Sequence, residues 1–279
     1  MILETLKAAL EKSDRQKLAL VGIPDDANST FLRGAAEAPP KIRAQLFSDA
    51  FNMWTETGVD LGEDVFFDAG DLDLGEVPDA WAAIRHAVEA VLDHGLTPIC
   101  LGGDHAITWP IVKGFRRKYD TLSILHFDAH PDLYDDFGDN PRSHASPFAR
   151  IMENHLADRL VQVGIRTANG HQREQAKRFG VEMIEMRELT GDLRLAFDTP
   201  VYVSVDVDGL DPAYAPGVSH PEPGGLSPRQ VIDTIQRLDG RIVGADIVEV
   251  NPRRDFHNLT AVVAAKIVKE VAAKMLAHA

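Results

Sequence analysis

Three stretches of the sequence place acids and histidines where a buried strand would end. In Leu125-His-Phe-Asp-Ala-His-Pro-Asp132 an apolar run leads into Asp128, His130 and Asp132. Residues at i, i+2 and i+4 of an extended chain face the same way, so these three project together. Two carboxylates and an imidazole on one face repel and desolvate one another unless a cation joins them. In Tyr202-Val-Ser-Val-Asp-Val-Asp-Gly-Leu-Asp211-Pro212, Asp206 and Asp208 share a face in the same manner. Asp211, after a glycine and before a proline, reads as a turn or supporting residue. In Leu101-Gly-Gly-Asp-His105 the glycines let the backbone turn sharply before Asp104 and His105. That segment alone is ambiguous, because Asp104 could simply cap a helix starting near Thr108.

Taken together, His105, Asp128, His130, Asp132, Asp206 and Asp208 form an oxygen-rich donor set with two imidazoles and no thiolate. Such a set suits hard, octahedral-leaning ions such as manganese more than zinc. Four carboxylates are too many for one divalent ion, whereas two ions about 3.5–4 Å apart, bridged by carboxylates, balance them. With a bridging hydroxide the site keeps about one negative charge, which should welcome a cationic substrate.

The elements that must hold these residues are legible as eight short apolar runs: 18–23, 65–67, 98–101, 122–127, 160–165, 181–184, 201–205 and 242–247. Most are continuously apolar, as strands buried on both faces are. Between or after them lie helical patterns at 80–94, 108–117, 146–154, 172–179, 227–238 and 259–276. Ser227-Pro228 supplies an N-cap followed by proline at the first helical position. Alternating strands and helices predict an α/β fold, three layers with an eight-stranded, mainly parallel sheet between helices. Functional groups in such sheets gather beyond the carboxyl ends of the strands, where the three acidic segments fall.

The 279 residues carry no evident linker, so one catalytic domain over residues 1–279 is expected. Apolar residues make up 44% and charged residues 26%, a globular balance, and no apolar run approaches a membrane span. The start, Met-Ile-Leu-Glu-Thr-Leu-Lys, mixes charge with apolar residues at helical spacing and reads as neither signal nor transit peptide. One cysteine, Cys100, permits no internal disulfide, and a reducing, cytoplasmic setting is expected. A net charge of −14 disfavours nucleic acid and anionic membranes as partners. Solubility is its simpler explanation, ahead of steering a cationic substrate.

The motifs Gly102-Gly-Asp-His105, Asp128-Ala-His-Pro-Asp132, Ser204-Val-Asp-Val-Asp-Gly-Leu-Asp-Pro212 and Glu249-Val-Asn-Pro252 resemble, in order and spacing, those of the ureohydrolase family. That family comprises arginases, agmatinases and related guanidino hydrolases, and the similarity runs from about Gly22 to Met275. The resemblance implies an eight-stranded parallel sheet and two manganese ions per chain. One ion would be held by His105, Asp128, Asp132 and Asp206, the other by His130, Asp128, Asp206 and Asp208. It implies hydrolysis in which water activated between the ions attacks a guanidinium carbon and urea leaves. Glu249 would pair with the guanidinium. His144, in Arg142-Ser-His-Ala-Ser-Pro147, would shuttle a proton to the departing amine. His126 lies deeper in its strand on the parity of Asp128 and reads as a supporting or core residue. His86, His94, His155, His257 and His278 have no such context and read as surface residues.

Substrate choice is divided. Leu133-Tyr134 and Asn169 stand where animal-type arginases carry residues that meet the α-carboxylate and α-amino groups, so Asn169 is a candidate substrate-binding residue. Stretches 143–153, 173–180 and 217–225 are most similar in appearance to plant-type arginases, which favours arginine over agmatine or another guanidino compound such as guanidinobutyrate. The family also implies a homo-oligomer, trimeric or hexameric. A binuclear phosphatase would need an arginine-rich cradle near these motifs, and a non-catalytic metal-binding member would be expected to lack a ligand. Neither feature is present in the sequence.

Overall fold

A computed structural model describes the chain except residues 1–2, 14, 51, 63, 76, 190, 192 and 278–279. Its strands are β1 (Leu18–Ile23), β2 (Phe66–Asp71), β3 (Thr97–Gly102), β4 (Ser123–Phe127), β5 (Arg159–Ile165), β6 (Glu182–Glu185), β7 (Val201–Asp206) and β8 (Ile242–Val248). They form one sheet in the order β2-β1-β3-β8-β7-β4-β5-β6, and every described pairing is parallel. The described helices are α1 (Leu3–Leu10), α2 (Ala38–Leu46), α3 (Ala80–Asp93), α4 (Thr108–Phe115), α5 (Pro147–Glu153), α6 (Gly170–Phe179), α7 (Pro228–Arg237) and α8 (Leu259–Leu276).

Both faces of the sheet are covered, which explains why its strands are apolar throughout. Leu18, Leu20, Ile99, Leu101, Leu125, Phe127, Val203 and Val205 pack with Ile42, Val231, Ile235 and Val268 from α2, α7 and α8. Their sequence neighbours Ala19, Val21, Cys100, Ile124 and Tyr202 pack with Leu6, Ile84, Val88, Ile111 and Phe148 from α1, α3, α4 and α5. Alternate residues of one strand therefore feed two cores.

All eight expected strands are present. β2 runs on to Asp71, beyond the expected 65–67, because an edge strand pairs with one neighbour and tolerates half-exposed polar residues. Helix α2 has no counterpart among the expected helical patterns, and it opens on Ala38-Pro-Pro-Lys41. Its prolines fall in the first turn, where the backbone N–H has no helical partner to lose. Ile42 and Leu46 then face the core. No described helix is long and apolar enough to cross a membrane.

For the site, what matters is that β3, β8, β7 and β4 are adjacent at the centre of the sheet. Leu101 lies opposite Ile247, Asp206 opposite Val248, and Phe127 opposite Val205, so the four strands end at one level. The three acidic segments and Glu249 leave the sheet at that edge.

Candidate metal centre and active site

Beyond the end of β4, Asp128 is fully buried and Asp132 nearly so, and Asp206 and Asp208 close off β7 with 3% exposure each. His105 follows β3 with no exposed surface. Its Nδ1 lies 3.3 Å from Asp128 Oδ2, 3.0 Å from Asp132 Oδ2 and 3.1 Å from Asp206 Oδ2. His130 Nδ1 lies 3.4 Å from Asp128 Oδ1 and 3.2 Å from Asp208 Oδ2. Two ligand groups use the expected residues, His105–Asp128–Asp132–Asp206 and Asp128–His130–Asp208, and Asp128 belongs to both through different oxygens, while a further group adds His126 to His105 and Asp128. Asp206 joins only the first group, and its other oxygen accepts the Asp208 backbone N–H at 2.8 Å.

The electrostatics of this arrangement call for cations. Burial, and then the Asp208 and Asp128 charges, push Asp206 well above the carboxylate range. Burial first, and Asp128 second, raises Asp132 to about 6. Burial likewise raises Asp208 to about 6. Burial works against ionised Asp128 too, but the imidazoles of His105, His126 and His130 beside it hold it well below its usual value. His105 Nδ1 is buried without a hydrogen-bond partner although three carboxylate oxygens surround it. An orphaned ring nitrogen facing three desolvated acids fits the ligand set of a divalent ion.

Supporting residues fix the donors. His105 Nε2 meets Ser204 Oγ at 2.9 Å, and Ser204 donates to Asp246 Oδ1 at 2.6 Å. Buried Asp246 also accepts Thr108 Oγ1 at 2.8 Å and the Tyr202 hydroxyl at 2.7 Å. This chain orients the His105 ring, the usual service of the groups behind a ligating histidine. His126 is buried in β4 and is both things expected of it: its Nε2 lies 2.8 Å from Asp128 Oδ2, while its Nδ1 meets Gln162 Nε2 at 3.0 Å. Burial lowers its pKa to about 4. Since Gln162 donates to Nδ1, the His126 proton sits on Nε2, aimed at Asp128. Asp211 is a turn residue, accepting backbone N–H groups of Ala213, Gly224 and Gly225.

Glu249 and His144 line the same cavity as these groups. Glu249 adopts φ 64°, an uncommon left-handed conformation that marks a position over-determined by its surroundings. Its Oε1 accepts the His105 backbone N–H at 2.9 Å and meets His144 Nδ1 at 2.7 Å. Both bonds use Oε1, so Oε2 stays available among the described residues. Burial opposes the His144 cation, but Glu249, helped by Asp104 and Asp132, outweighs it and raises His144 to about 9. A cavity of about 200 Å³ joins this pair to His130, Asp132, Asp206 and Asp208, and Thr30, Tyr134, Phe137, Thr167, Gln172 and His220 complete most of its wall.

Asn169 is not among the residues lining that cavity. Its Oδ1 caps α6 by accepting the Gln172 N–H at 2.9 Å, and its Nδ2 donates to the Tyr134 hydroxyl at 2.7 Å. It therefore reaches the cavity only through Tyr134 and Gln172. Of the remaining histidines, His94, His155 and His257 are exposed, His86 is half-buried, and His278 lies outside the described residues.

Several site residues carry no chemical signal of their own in the sequence. His220 lies in a loop without periodicity, its ring 5.2 Å from His144 and 6.1 Å from His130. Arg166 donates to the carbonyls of Gly164, Asp208, Gly209, Leu210 and Glu222, tying the end of β5 to the turn carrying Asp208. Gly209 serves packing: a Cβ there would come within 2.8 Å of the Asp128 backbone nitrogen.

Comparison with known proteins agrees with this geometry. The family model described as the arginase family matches residues 16–273. The chain is 48% identical over 275 positions to a protein named mitochondrial arginase from Medicago truncatula, covering 92% of this chain and 81% of that one. It is 32% identical over 267 positions to an agmatinase from Bacillus anthracis, covering 92% and 91%. The solved structure of an arginase from Medicago truncatula superposes with a TM-score of 0.93 at 45% identity, covering 98% of this chain and 94% of that one. With the two ligand groups already in place at the sheet edge, these matches establish that the chain belongs to the arginase family and is an arginase-type ureohydrolase.

Proposed function

We propose that this enzyme hydrolyses L-arginine to L-ornithine and urea, with two manganese ions held by His105, Asp128, His130, Asp132, Asp206 and Asp208. The observation that carries this reading is the pair of ligand groups joined by Asp128, four of whose members, His130, Asp132, Asp206 and Asp208, line the same cavity as Glu249 and His144. Oxygen and imidazole donors without thiolate favour manganese over softer ions. Bound there, the ions would supply Lewis acidity that makes water nucleophilic near neutral pH. The chain's own residues do the rest. Glu249 anchors the planar guanidinium through charge-assisted hydrogen bonds, with Oε2 free for that purpose, and aims its carbon at the ligand groups. His144 provides a proton from Nε2 to the departing amine. Tyr134, Thr167 and Gln172 offer neutral hydrogen-bonding groups to the substrate's far end. Asn169 acts on that end by holding Tyr134 and capping α6.

Arginine is preferred because similarity is much higher to the plant arginase than to the agmatinase. One observation favours agmatine as a second reading: neither lysine nor arginine is among the residues lining the cavity, and agmatine has no carboxylate to satisfy. A reducing setting such as the cytoplasm suits the single, buried Cys100, and a trimer or hexamer is the proposed assembly. The test is urea release with manganese from arginine, agmatine, guanidinobutyrate, guanidinopropionate and free guanidine. Highest kcat/KM on arginine is expected. Faster turnover of agmatine would transfer the assignment to the second reading, and no urea from any of the five would overturn both.

A further inference from the structure

The loop after β1 is laced onto the segment that carries His144. Asp104 Oδ2 accepts the Asn28 N–H at 2.9 Å and Ser29 Oγ at 3.3 Å. Asn28 returns its carbonyl to the His144 N–H at 3.3 Å and its Oδ1 to Asn140 Nδ2 at 3.1 Å. The loop presses so closely on the end of β3 that a Cβ at Gly103 would lie 1.8 Å from the Asp25 carbonyl oxygen. This scaffold delivers Thr30 to His144 Nε2 twice over, with the backbone N–H at 3.2 Å and Oγ1 at 2.8 Å.

A backbone N–H can only donate, so it needs a lone pair on Nε2. The neutral ring must then carry its proton on Nδ1, facing Glu249 Oε1 at 2.7 Å. When the ring takes a second proton, at Nε2, the fixed N–H opposes it. The Thr30 hydroxyl can turn and accept it, because a hydroxyl both donates and accepts. We propose that Thr30 is a positioning residue for His144: its backbone N–H sets the neutral tautomer, and its hydroxyl receives the Nε2 proton of the charged ring. One residue thereby holds the shuttle's outer nitrogen in place in both protonation states. The inference rests on reading His144 as the proton-shuttling residue. The other charged or titratable groups around that ring are Glu249 after β8, Asp104 after β3, Asp132 after β4 and His220 in the loop before α7.

The experiment compares Thr30→Val, which keeps shape and backbone N–H but removes the acceptor, with Thr30→Ser, which restores it. The His144 midpoint is read from deuterium exchange at its ring C2, followed by mass spectrometry of the manganese-loaded protein across pH, with kcat/KM measured in parallel. Thr30→Val should lower the midpoint by about 1–2 pH units, the net strength of a hydrogen bond to a charged group after competition from water. The limb of the kcat/KM profile should move with it, manganese content should stay unchanged, and Thr30→Ser should titrate like the wild type. A Thr30→Val midpoint equal to wild type overturns the inference. If the midpoint moves while the rate profile does not, Thr30 still positions the ring, but His144 is not the shuttle.

Discussion

The hydrogen bond of 2.7 Å between His144 Nδ1 and Glu249 Oε1 couples residues 105 positions apart, so a change at either reaches both. Glu249→Gln keeps the shape but removes the charge. It should cost about 2–5 kcal/mol of transition-state stabilisation with arginine and agmatine alike, the range for truncating one member of a buried charge pair. It should also move His144. Glu249 raises that histidine to about 9, so the stability of the charged pair is complete below the ordinary value of 6.5 and is lost as pH rises through about 9. With the carboxylate gone, only Asp104 and Asp132 still oppose burial, and the His144 midpoint should fall from about 9, read by ring C2 exchange. An unchanged midpoint would mean that the carboxylate does not govern the ring. His144→Asn should keep its metal and lose about 10²–10⁴ in kcat, the usual reach of one acid–base group. A wild-type rate and pH profile in that variant would remove the shuttle assignment. The residues legible in the sequence were those whose chemistry clashes with their setting, such as paired aspartates ending an apolar run. Thr30, Arg166 and His220 are ordinary loop residues, made part of the site only by what folds against them.

At the scale of elements, the sequence announced eight strands but not their order. The site depends on that order, because β3, β8, β7 and β4 must be neighbours for His105, Glu249, Asp206 and Asp128 to meet. Nothing in a strand's own residues states its neighbour. Pairing is decided by crossovers and by which faces fill which core. Asp246 illustrates the consequence. In sequence it is one acid inside the apolar run of β8, but the register sets it against Ser204 of β7. There it takes hydrogen bonds from Ser204, Tyr202 and Thr108 and steadies His105 through Ser204. Ser204→Ala should therefore weaken retention of an ion by about 10–100-fold, the usual cost of losing a group behind a ligating histidine. Titration of chelator-treated protein with manganese measures this directly. An affinity equal to wild type would show that packing alone orients the ring.

Over the whole molecule, the four clustered carboxylates set a conflict between folding and function. They are buried at the ends of central strands, and each tool for neutralising them within the chain is partial. Three imidazoles support Asp128, but burial and neighbouring charge still raise Asp132, Asp206 and Asp208. Ions that bind the folded chain alone stabilise it by mass action, about 2.7 kcal/mol when free metal is one hundred times its dissociation constant. For a chain near this size that corresponds to a rise of roughly 5–10 °C in Tm. Chelator-treated wild type should show that rise as manganese is added, saturating at two ions per chain. The two ligand groups make the stoichiometry diagnostic. Asp128 gives one oxygen to each group, so Asp128→Asn should abolish both binding and the thermal gain. Asp208 belongs to the His130 group alone, so Asp208→Asn should keep one ion and part of the gain. Metal analysis alongside the thermal scans reads both quantities. One ion per chain in fully active wild type, or two ions retained by Asp128→Asn, would rule out a binuclear centre bridged by Asp128.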